Sequence, residues 1–393
     1  MKETDLKLTK NQMQSIINNY LKEEDSLNDL FSMLVNSLML GERNAFLECQ
    51  PKGNKGNGYR QVQKAGLGSG LSLSIPRDRL GVFKPVILGI LDKQEEQIKD
   101  LCFSLYGQGL TTRQIGGVIE DIYGQHYSRS RISRITEEFS DIILSWLNKD
   151  LSSHYLAVYV DAIHQKVRRD VVSSEAFYVL LGLKTDYTRE VLGIVNIPQE
   201  SSSGWLDVLS NIKQRGVEEV NLFVFDNLTG LDVAIAKCFP SKQQKCILHF
   251  QRNLGKHLRV SDRKEFFEGL KPIINPDNID MDSKTATKLF KDYILLWSKK
   301  YKYFERLYNQ DDLELYFTYF DYDYRVRRMI YTTNWIERLN KSFRRTTKIR
   351  NVLPSPKSAL ILLGFCAMEM EDNIYKYPIM NFKFENSFCI IES

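Results

Sequence analysis

The sequence predicts an α/β protein whose mixed, mostly covered β-sheet is preceded by a helical region and interrupted by an all-helical segment. Up to residue 150 the apolar residues recur mainly with helical spacing. After residue 150, apolar runs of strand length alternate with helical patterns, which indicates a sheet covered by helices. From residue 250 to 330 the pattern is helical again, and this segment separates two parts of one core.

The first 94 residues are expected to form a helical and short-strand region. Residues 6–40 have helical periodicity, and the Gly, Asn and Lys residues of positions 51–59 are typical of a loop. Short β-prone pieces rich in glycine follow over residues 60–84.

Three short helices are predicted within residues 95–150. Gly107 and Gly109 end the first, and Thr111 and Gln114 have the capping-box spacing that begins the second. The third begins at Ser128 and is expected to direct three cations outward: Arg129, Arg131 and Arg134. This pattern is typical of a helix-turn-helix DNA-binding domain. A small helical bundle with a solvated basic face is the alternative.

Five strands and two helices are predicted in the next part of the chain. The strands are Tyr155–Asp161, Phe177–Leu183, Val191–Ile197, Val220–Asp226 and Cys246–His249; the helices start near Ser201 and Gly230. Three strands, a helix, a strand, a helix and a strand is the order of the ribonuclease H-like fold. We therefore expect a core built from residues 151–237 and 331–393, with a helical insertion over 238–330 that includes helices at 286–301 and 303–319.

Two aspartates stand where apolar strands are predicted to end. Asp161 follows one strand and Asp226 another, so their carboxylates meet if the strands are neighbours. Carboxylates are ligands that Mg²⁺ prefers, and two such ions can activate an oxygen nucleophile for phosphodiester chemistry. An aspartate that simply forms a turn is the alternative at each position.

A third acid lies on a predicted helix that is otherwise strongly basic. At 100° per residue, Glu337 shares an arc of about 60° with Lys341, Arg344 and Lys348, away from the apolar stripe. Arg345 and Arg350 lie nearby, and residues 325–350 hold nine cations against this one acid. An acid at the head of a phosphate-attracting stripe suits a metal site on DNA; a solvated face with a Glu337–Lys341 pair is the alternative.

Other signals are weaker. Lys166 and Arg168, which follow Asp161, either meet phosphate or are solvated. Cys246 and His249 could join Cys238 and His257 in a zinc set, but this spacing fits no common zinc finger.

Several motifs together resemble Mutator-type bacterial insertion-sequence transposases. The Tyr331–Lys341 segment (YTTNWIERLNK) resembles the surroundings of the third catalytic acid of that family, and Phe225–Leu231 and Tyr159–Ala162 resemble those of the first two. Cys246–His249 is similar to the Cys-x-x-His element of that family, and Trp297 with Tyr301 to an aromatic pair in its insertion.

This resemblance implies a DDE transposase with Asp161, Asp226 and Glu337 as catalytic, metal-binding residues. It implies Mg²⁺, in two ions, with Mn²⁺ as a possible substitute, and strand cleavage followed by attack of the freed 3′-hydroxyl on target DNA. It also implies structural or DNA-positioning roles for Cys246, His249, Trp297 and Asn334. Asn227 departs from the glycine usual after the second aspartate, and we expect it to adopt the same positive-φ turn.

Composition agrees with these expectations and excludes other classes. Residues 1–150 carry 19 basic and 19 acidic residues, so the net charge of +5 lies in residues 151–393. Six scattered cysteines and the lack of a secretory signal fit a cytoplasmic, nucleoid-associated protein with no membrane partner. The expected partners are transposon-end DNA, target DNA and a second copy, in a homodimer or higher oligomer. A ribonuclease H-like structure-specific nuclease and a non-catalytic DNA-binding regulator are the rival hypotheses.

Overall fold

The computed structural model describes residues 26–50, 53–65, 70–123, 127–198 and 200–379. The chain divides into two compact units, Met1–Phe139 and Ser140–Ser393. Residues 6–25 of the first predicted helix lie outside the described residues.

The first unit begins with a helix packed on a β-hairpin. Helix α1 (Ser26–Glu48) packs on strand β2 (Gly70–Asp78), which pairs antiparallel with β1 (Gly56–Ala65). The loop predicted up to residue 59 ends earlier, because Gly56 already pairs with Asp78.

Three helices share the second apolar core of this unit, as the periodicity predicted. They are α2 (Val86–Gly107), α3 (Thr112–Tyr123) and α4 (Arg129–Leu147). The buried residues that join them are Ile98, Cys102, Ile115, Ile119, Ile132 and Ile135. Thr111 and Gln114 form the predicted reciprocal cap, because each side chain accepts the other residue's backbone N–H. Helix α2 begins before residue 95, and the boundary between the two units falls within α4.

The second unit contains a mixed five-stranded sheet in the order β5-β4-β3-β6-β7. Its strands are β3 (His154–Arg168), β4 (Val172–Lys184), β5 (Arg189–Asn196), β6 (Glu219–Phe225) and β7 (Lys242–Lys245). Strands β3, β4 and β5 pair antiparallel, whereas β6 and β7 run parallel to β3. The mixed sheet predicted from the sequence is confirmed.

Helices cover both faces of this sheet. On one face, Val158 and Val160 of β3 pack against α5 (Ser202–Gln214) and α6 (Leu231–Cys238). The other face contacts α12 (Asn334–Arg350) and α13 (Pro356–Met370), which ends in a short π-helical turn at Glu371–Tyr375. Because alternate strand residues face opposite ways, Tyr159 and Asp161 point toward the α12 side.

A helical segment separates β7 from α12. It contains α7 (Ile247–Lys256), α8 (Val260–Leu270), α9 (Ser283–Ser298), α10 (Lys302–Tyr308) and α11 (Tyr324–Ile330), with 3₁₀ turns at Leu313–Tyr316 and Thr318–Asp321. The strand predicted at Cys246–His249 is wrong, since the last strand occupies the four residues before it and Cys246 caps α7. The helix predicted over 303–319 is also wrong beyond Tyr308, where the polar residues 309–312 interrupt it. None of the helices in the described part of the chain is long and apolar enough to cross a membrane.

Candidate active site

The register of two parallel strands places Asp161 beside Asp226. The last β3–β6 pair is Val160 with Phe225, and the two aspartates are the next residue on each chain. The strand predicted to end at Asp161 instead continues to Arg168, because residues 162–168 remain paired with β4. Asp161 therefore lies within a strand, at the point where its pairing with β6 stops.

Asp161 is held from two sides. Its Oδ1 accepts the Ala162 N–H at 3.0 Å, and its Oδ2 accepts Asn340 Nδ2 of α12 at 2.6 Å. Burial raises the pKa of Asp161 to about 6, and the Asp226 carboxylate acts in the same direction. The two carboxylates are thus close enough to repel each other when both are ionised.

The loop after β6 differs from the expectation at Asn227. In the described residues only Tyr187 and Asn351 among non-glycines have positive φ, so the positive-φ turn expected at Asn227 is wrong. The Asn227 N–H instead donates to Asp226 Oδ1 at 2.7 Å. The positive φ of this loop falls at Gly230 (φ 79°), where a Cβ atom would lie 2.6 Å from the Ser202 nitrogen.

A buried lysine lies beneath this loop. Lys245, the last residue of β7, is 3% exposed and forms an ion pair with Asp312, and its Nζ lies 3.8 Å from Asp232 Oδ2. The same ammonium donates to Asn227 Oδ1 at 3.5 Å. Lys245 therefore connects the residue after Asp226 to the helical segment.

Cys246 and His249 lie at the junction of β6, α7 and α12. The Cys246 N–H donates to Phe225 O at 2.7 Å, and Cys246 Sγ accepts the Thr333 hydroxyl at 3.6 Å. His249 Nδ1 lies 3.6 Å from Asp226 Oδ2. The Cys246 side chain and, more weakly, the Asp226 carboxylate raise the pKa of His249 to about 9.

The zinc set considered for these residues is not assembled. Cys238 packs against the sheet core, and the His257 ring stacks on Tyr303 with centroids 3.6 Å apart. Among the described residues no group of three His, Cys, Asp or Glu side chains is placed to hold a metal ion.

By its spacing, Glu337 of helix α12 shares a helix face with the residues of that helix that interact with Asp161. Ile336, Leu339 and Phe343 are buried, which confirms the predicted apolar stripe. Asn340, which contacts Asp161, follows Glu337 by three residues, and Arg344, which interacts electrostatically with Asp161, follows it by seven. These spacings share one helix face, but the structure does not gather Glu337 into a metal-binding group with the aspartates.

The donors at this site fit a hard divalent cation. Asp161 and Asp226 offer carboxylate oxygens at adjacent positions, and Glu337 lies one helical turn from Asn340. Asn340 is fully buried, yet its Oδ1 has no hydrogen-bond partner in the described part of the chain. An amide oxygen of this kind, on the side chain that contacts Asp161, is suited to an oxygen-preferring ion.

The basic residues of α12 are mostly exposed. Lys341, Arg344, Arg345 and Lys348 lie on the surface, and Arg350 is half-buried. Among the described residues, no acid forms an ion pair with any of the four surface cations. The Glu337–Lys341 pair, which was the alternative to a DNA-binding face, is therefore not formed.

Lys166 and Arg168 lie on the sheet face opposite to Asp161. Both are exposed and alternate with Gln165 and Val167, which are buried on the Asp161 side. The structure therefore does not bring these two cations to the carboxylates.

Of the three arginines predicted to point outward from α4, two do so. Arg129 and Arg134 are exposed. Arg131 is half-buried, because its guanidinium pairs with Glu95 at 3.1 Å and stacks on the Tyr127 ring at 4.2 Å. Arg131 thus joins helices of the first unit, and the expectation of a free outward side chain is wrong.

Trp297 and Asn334, the other two residues implied by the resemblance, lie in different parts of the second unit. Trp297 is half-buried within the helical segment, with its ring edge-on to Phe266 at 5.2 Å. Asn334 is exposed at the first position of α12, where its N–H donates to the Thr332 hydroxyl.

A comparison with known protein families shows the family of this chain. The model of the Mutator family of transposases matches residues 1–377. The chain belongs to this family. The resemblance recognised from the sequence motifs is therefore confirmed.

Named transposases of this kind match the chain over most of their length. The transposase of insertion sequence element IS905 from Lactococcus lactis is 31% identical, covering 86% of this chain and 88% of its own. The transposase of IS1201 from Lactobacillus helveticus is 30% identical over 92% of this chain and 99% of its own length. The transposase of IS256 from Staphylococcus aureus is 28% identical over 95% of this chain and 96% of its own length. Among solved structures, the Drosophila P element transposase strand transfer complex matches with a TM-score of 0.29 and 12% identity, covering 73% of this chain and 82% of that one. A TM-score of this size establishes no shared fold.

Two residues of this Mutator-family site were missed from the sequence. The role of Asn340 could have been predicted from the sequence, since this residue lies one turn after Glu337 on a helix whose next turn is cationic. No sequence pattern indicates the role of Lys245, because its burial depends on Asp312, which is 67 residues away along the chain.

Proposed function

We propose that this Mutator-family member is the DNA transposase of an insertion sequence, with Asp161, Asp226 and Glu337 as its DDE triad. The observation that carries the proposal is the strand register that sets Asp161 and Asp226 side by side, facing the helix that bears Glu337. The strand order β5-β4-β3-β6-β7 supports a ribonuclease H-like core, and the purely helical chain from residue 247 to α12 supports an insertion within it.

The three carboxylates would hold two divalent cations, Mg²⁺ or Mn²⁺. Bound there, the ions supply charge stabilisation and lower the pKa of a water molecule. Asn340 holds Asp161 from the α12 side, and His249 lies beside Asp226, so both aspartates are oriented by neighbours. In the proposed reaction water attacks the phosphorus at the transposon end and the 3′-oxygen leaves as a hydroxyl. That hydroxyl then attacks a target phosphodiester in line and displaces its 3′-oxygen, without a covalent protein–DNA intermediate.

The exposed cations of α12 would bind the DNA backbone near the carboxylates. Lys341, Arg344 and Lys348 lie on the same arc as Glu337, and each neutralised phosphate strengthens binding by releasing counterions. In the first unit, Arg129 and Arg134 of α4 would contact the terminal inverted repeats in a helix-turn-helix arrangement. Because two ends are joined in one reaction, we propose a homodimer or higher oligomer on DNA.

The test is a strand-transfer assay with purified protein, Mg²⁺, labelled transposon-end DNA and a target plasmid. We expect Asp161→Ala, Asp226→Ala and Glu337→Gln each to lower the rate of joining at least about a thousandfold, while binding to the end DNA persists. Asp207→Asn, which removes an exposed acid from α5, serves as the matched control and should join at the normal rate.

Three results would overturn the assignment. Joining by all three variants would rule out the triad, and cleavage without joining by the unaltered protein would indicate the nuclease alternative. Binding of end DNA with neither cleavage nor joining would indicate a regulator.

A further inference from the structure

A basic groove lies between helices α7 and α8 of the second unit. It encloses about 660 Å³, within the range of ligand sites. Its lining includes two cations from α7, two from α8 and its C-terminal end, and two apolar side chains: Arg252, Lys256, Arg263, Lys271, Leu248 and Phe267.

Within the described part of the chain, no ion pair accounts for the position of the four cations. All four are exposed, and no acid is among the described residues that line the groove. Arg252 and Lys256 are four residues apart on α7, a like-charge spacing that weakens a helix. Four cations close together without an acid among them favour the binding of an anionic ligand.

The lining of the groove also includes an aromatic ring, Phe267. Phe267 is half-buried and packs beside Gly255 of α7, where an added Cβ would make ordinary contact with the ring at 3.4 Å. Gln251 adds an amide to the same lining. A ring, an amide and several cations in one groove are what a base with its neighbouring phosphates requires.

Helix α7 also connects this groove to the candidate active site. His249, 3.6 Å from Asp226, precedes Arg252 by three residues, which is a rise of about 4.5 Å along the helix. A strand that leaves the carboxylates along α7 therefore meets Arg252 and Lys256 next.

We infer that this groove binds single-stranded DNA, with phosphates on the four cations and a base against Phe267. A segment of one or two unpaired nucleotides matches a cavity of this size, whereas a rigid duplex contacts only the rim of a groove between two packed helices. The inference rests on the proposed function only for the origin of the strand, because the binding itself needs neither a metal ion nor the carboxylates.

The experiment measures fluorescence anisotropy of a labelled oligothymidylate of about ten nucleotides with the full chain in chelator, beside a duplex of matched length. We expect Arg263→Ala combined with Lys271→Ala to weaken single-strand binding at least about tenfold. Lys264→Ala is the matched control, since it removes an exposed cation of α8 outside the groove and should change affinity less than about twofold.

Substitutions of the ring separate stacking from charge. Phe267→Leu keeps an apolar side chain and should weaken single-strand binding about tenfold without changing the affinity for the duplex. Phe267→Trp keeps an aromatic ring and should bind the single strand as tightly as the unaltered protein does. Thermal unfolding of each variant verifies that it is folded.

The outcomes distinguish this inference from the proposed function. Asp161→Ala should bind the oligonucleotide normally in chelator even if strand transfer is lost. Equal losses for the groove variants and Lys264→Ala, unchanged single-strand binding, or equal losses for single strand and duplex would each overturn the assignment.

Discussion

Asn340 donates a hydrogen bond from its amide nitrogen to Asp161, and its own amide oxygen, fully buried, has no hydrogen-bond partner among the residues that the structure describes. A buried polar atom without a partner destabilises the fold, and this one belongs to the side chain that contacts the Asp161 carboxylate. A cation held by Asp161 and Asp226 would offset this cost, because the amide oxygen then faces a positive charge.

We predict that Asn340→Asp makes the protein depend on divalent metal ions for stability. Without metal, the new carboxylate repels Asp161 and removes its hydrogen-bond donor, and we expect unfolding to become easier by about 2 kcal/mol. With Mn²⁺ the added ligand should recover most of this loss. The measurement is thermal unfolding in chelator and in Mn²⁺.

Asn334→Asp is the matched control, since it adds the same charge to an exposed position of the same helix. Its stability should respond to Mn²⁺ as the unaltered protein does. If the response of Asn340→Asp is no larger than that of the control, Asn340 does not lie at a metal site.

At the scale of elements, α12 is fixed at both ends. Before its start, the Ile247 N–H donates to Tyr331 O at 3.0 Å, and after its end Leu353 exchanges backbone hydrogen bonds with Lys166 and Arg168 of β3. These contacts determine which face of α12 lies over Asp161.

The sequence predicted the elements of this arrangement better than their ends. Apolar periodicity was sufficient for the buried stripe of α12 and for the existence of strands β3 and β6, because both patterns are local; that these two strands are neighbours was only a condition of the prediction. It missed the continuation of β3 past Asp161, which depends on pairing with β4. It also missed the engagement of Arg131, which depends on Glu95 of another helix. Local patterns carry no information on partners that are distant in sequence.

Edge strand β5 is joined to the rest of the core through Glu190. The carboxylate accepts hydrogen bonds from the hydroxyls of Tyr155 at 2.7 Å and Ser152 at 2.9 Å, and Lys149 pairs with both Glu190 and Glu371. Burial raises the pKa of Glu190, but these hydrogen bonds and the charges of Lys149 and Lys184 outweigh it and hold the pKa below its usual 4.5.

We predict that Glu190→Gln destabilises the protein by about 2 kcal/mol at pH 7, because hydrogen bonds to a charged group are lost. A depressed pKa contributes stability above the unfolded-state value of 4.5, and this contribution disappears as the pH falls through the lower folded-state value. The difference between the variant and the unaltered protein should therefore shrink in acid. Urea unfolding across this pH range measures it.

Glu218→Gln, an exposed acid just before β6, is the control and should leave stability at pH 7 unchanged. A pH-independent difference for Glu190→Gln would mean that its effect comes from packing and not from its charge.

At the scale of the whole molecule, charge is unevenly distributed along the chain. Residues 1–150 are neutral, and the net charge of +5 comes from residues 151–393, which lie in the second unit. Attraction to any DNA backbone is thus expected from those residues. A neutral segment gains little affinity from charge alone, so any DNA binding by α4 depends on specific contacts.

We predict that Arg129→Ala combined with Arg134→Ala weakens binding of the full chain to transposon-end duplex at least about tenfold, with much less effect on a scrambled duplex. The reason is that contacts to base edges are lost while the backbone attraction of the second unit persists. Competition binding with both duplexes measures the ratio. Lys84→Ala combined with Lys93→Ala removes the same charge from exposed positions of the first unit and should preserve the ratio.

Arg131→Ala separates structure from recognition in the same helix. It removes the ion pair to Glu95 and the contact with Tyr127, so it should lower thermal stability before it alters the preference for end DNA. If Arg131→Ala abolishes that preference in fully folded protein while the Arg129 and Arg134 variants retain it, the recognition surface of α4 is not the one that its exposed arginines indicate.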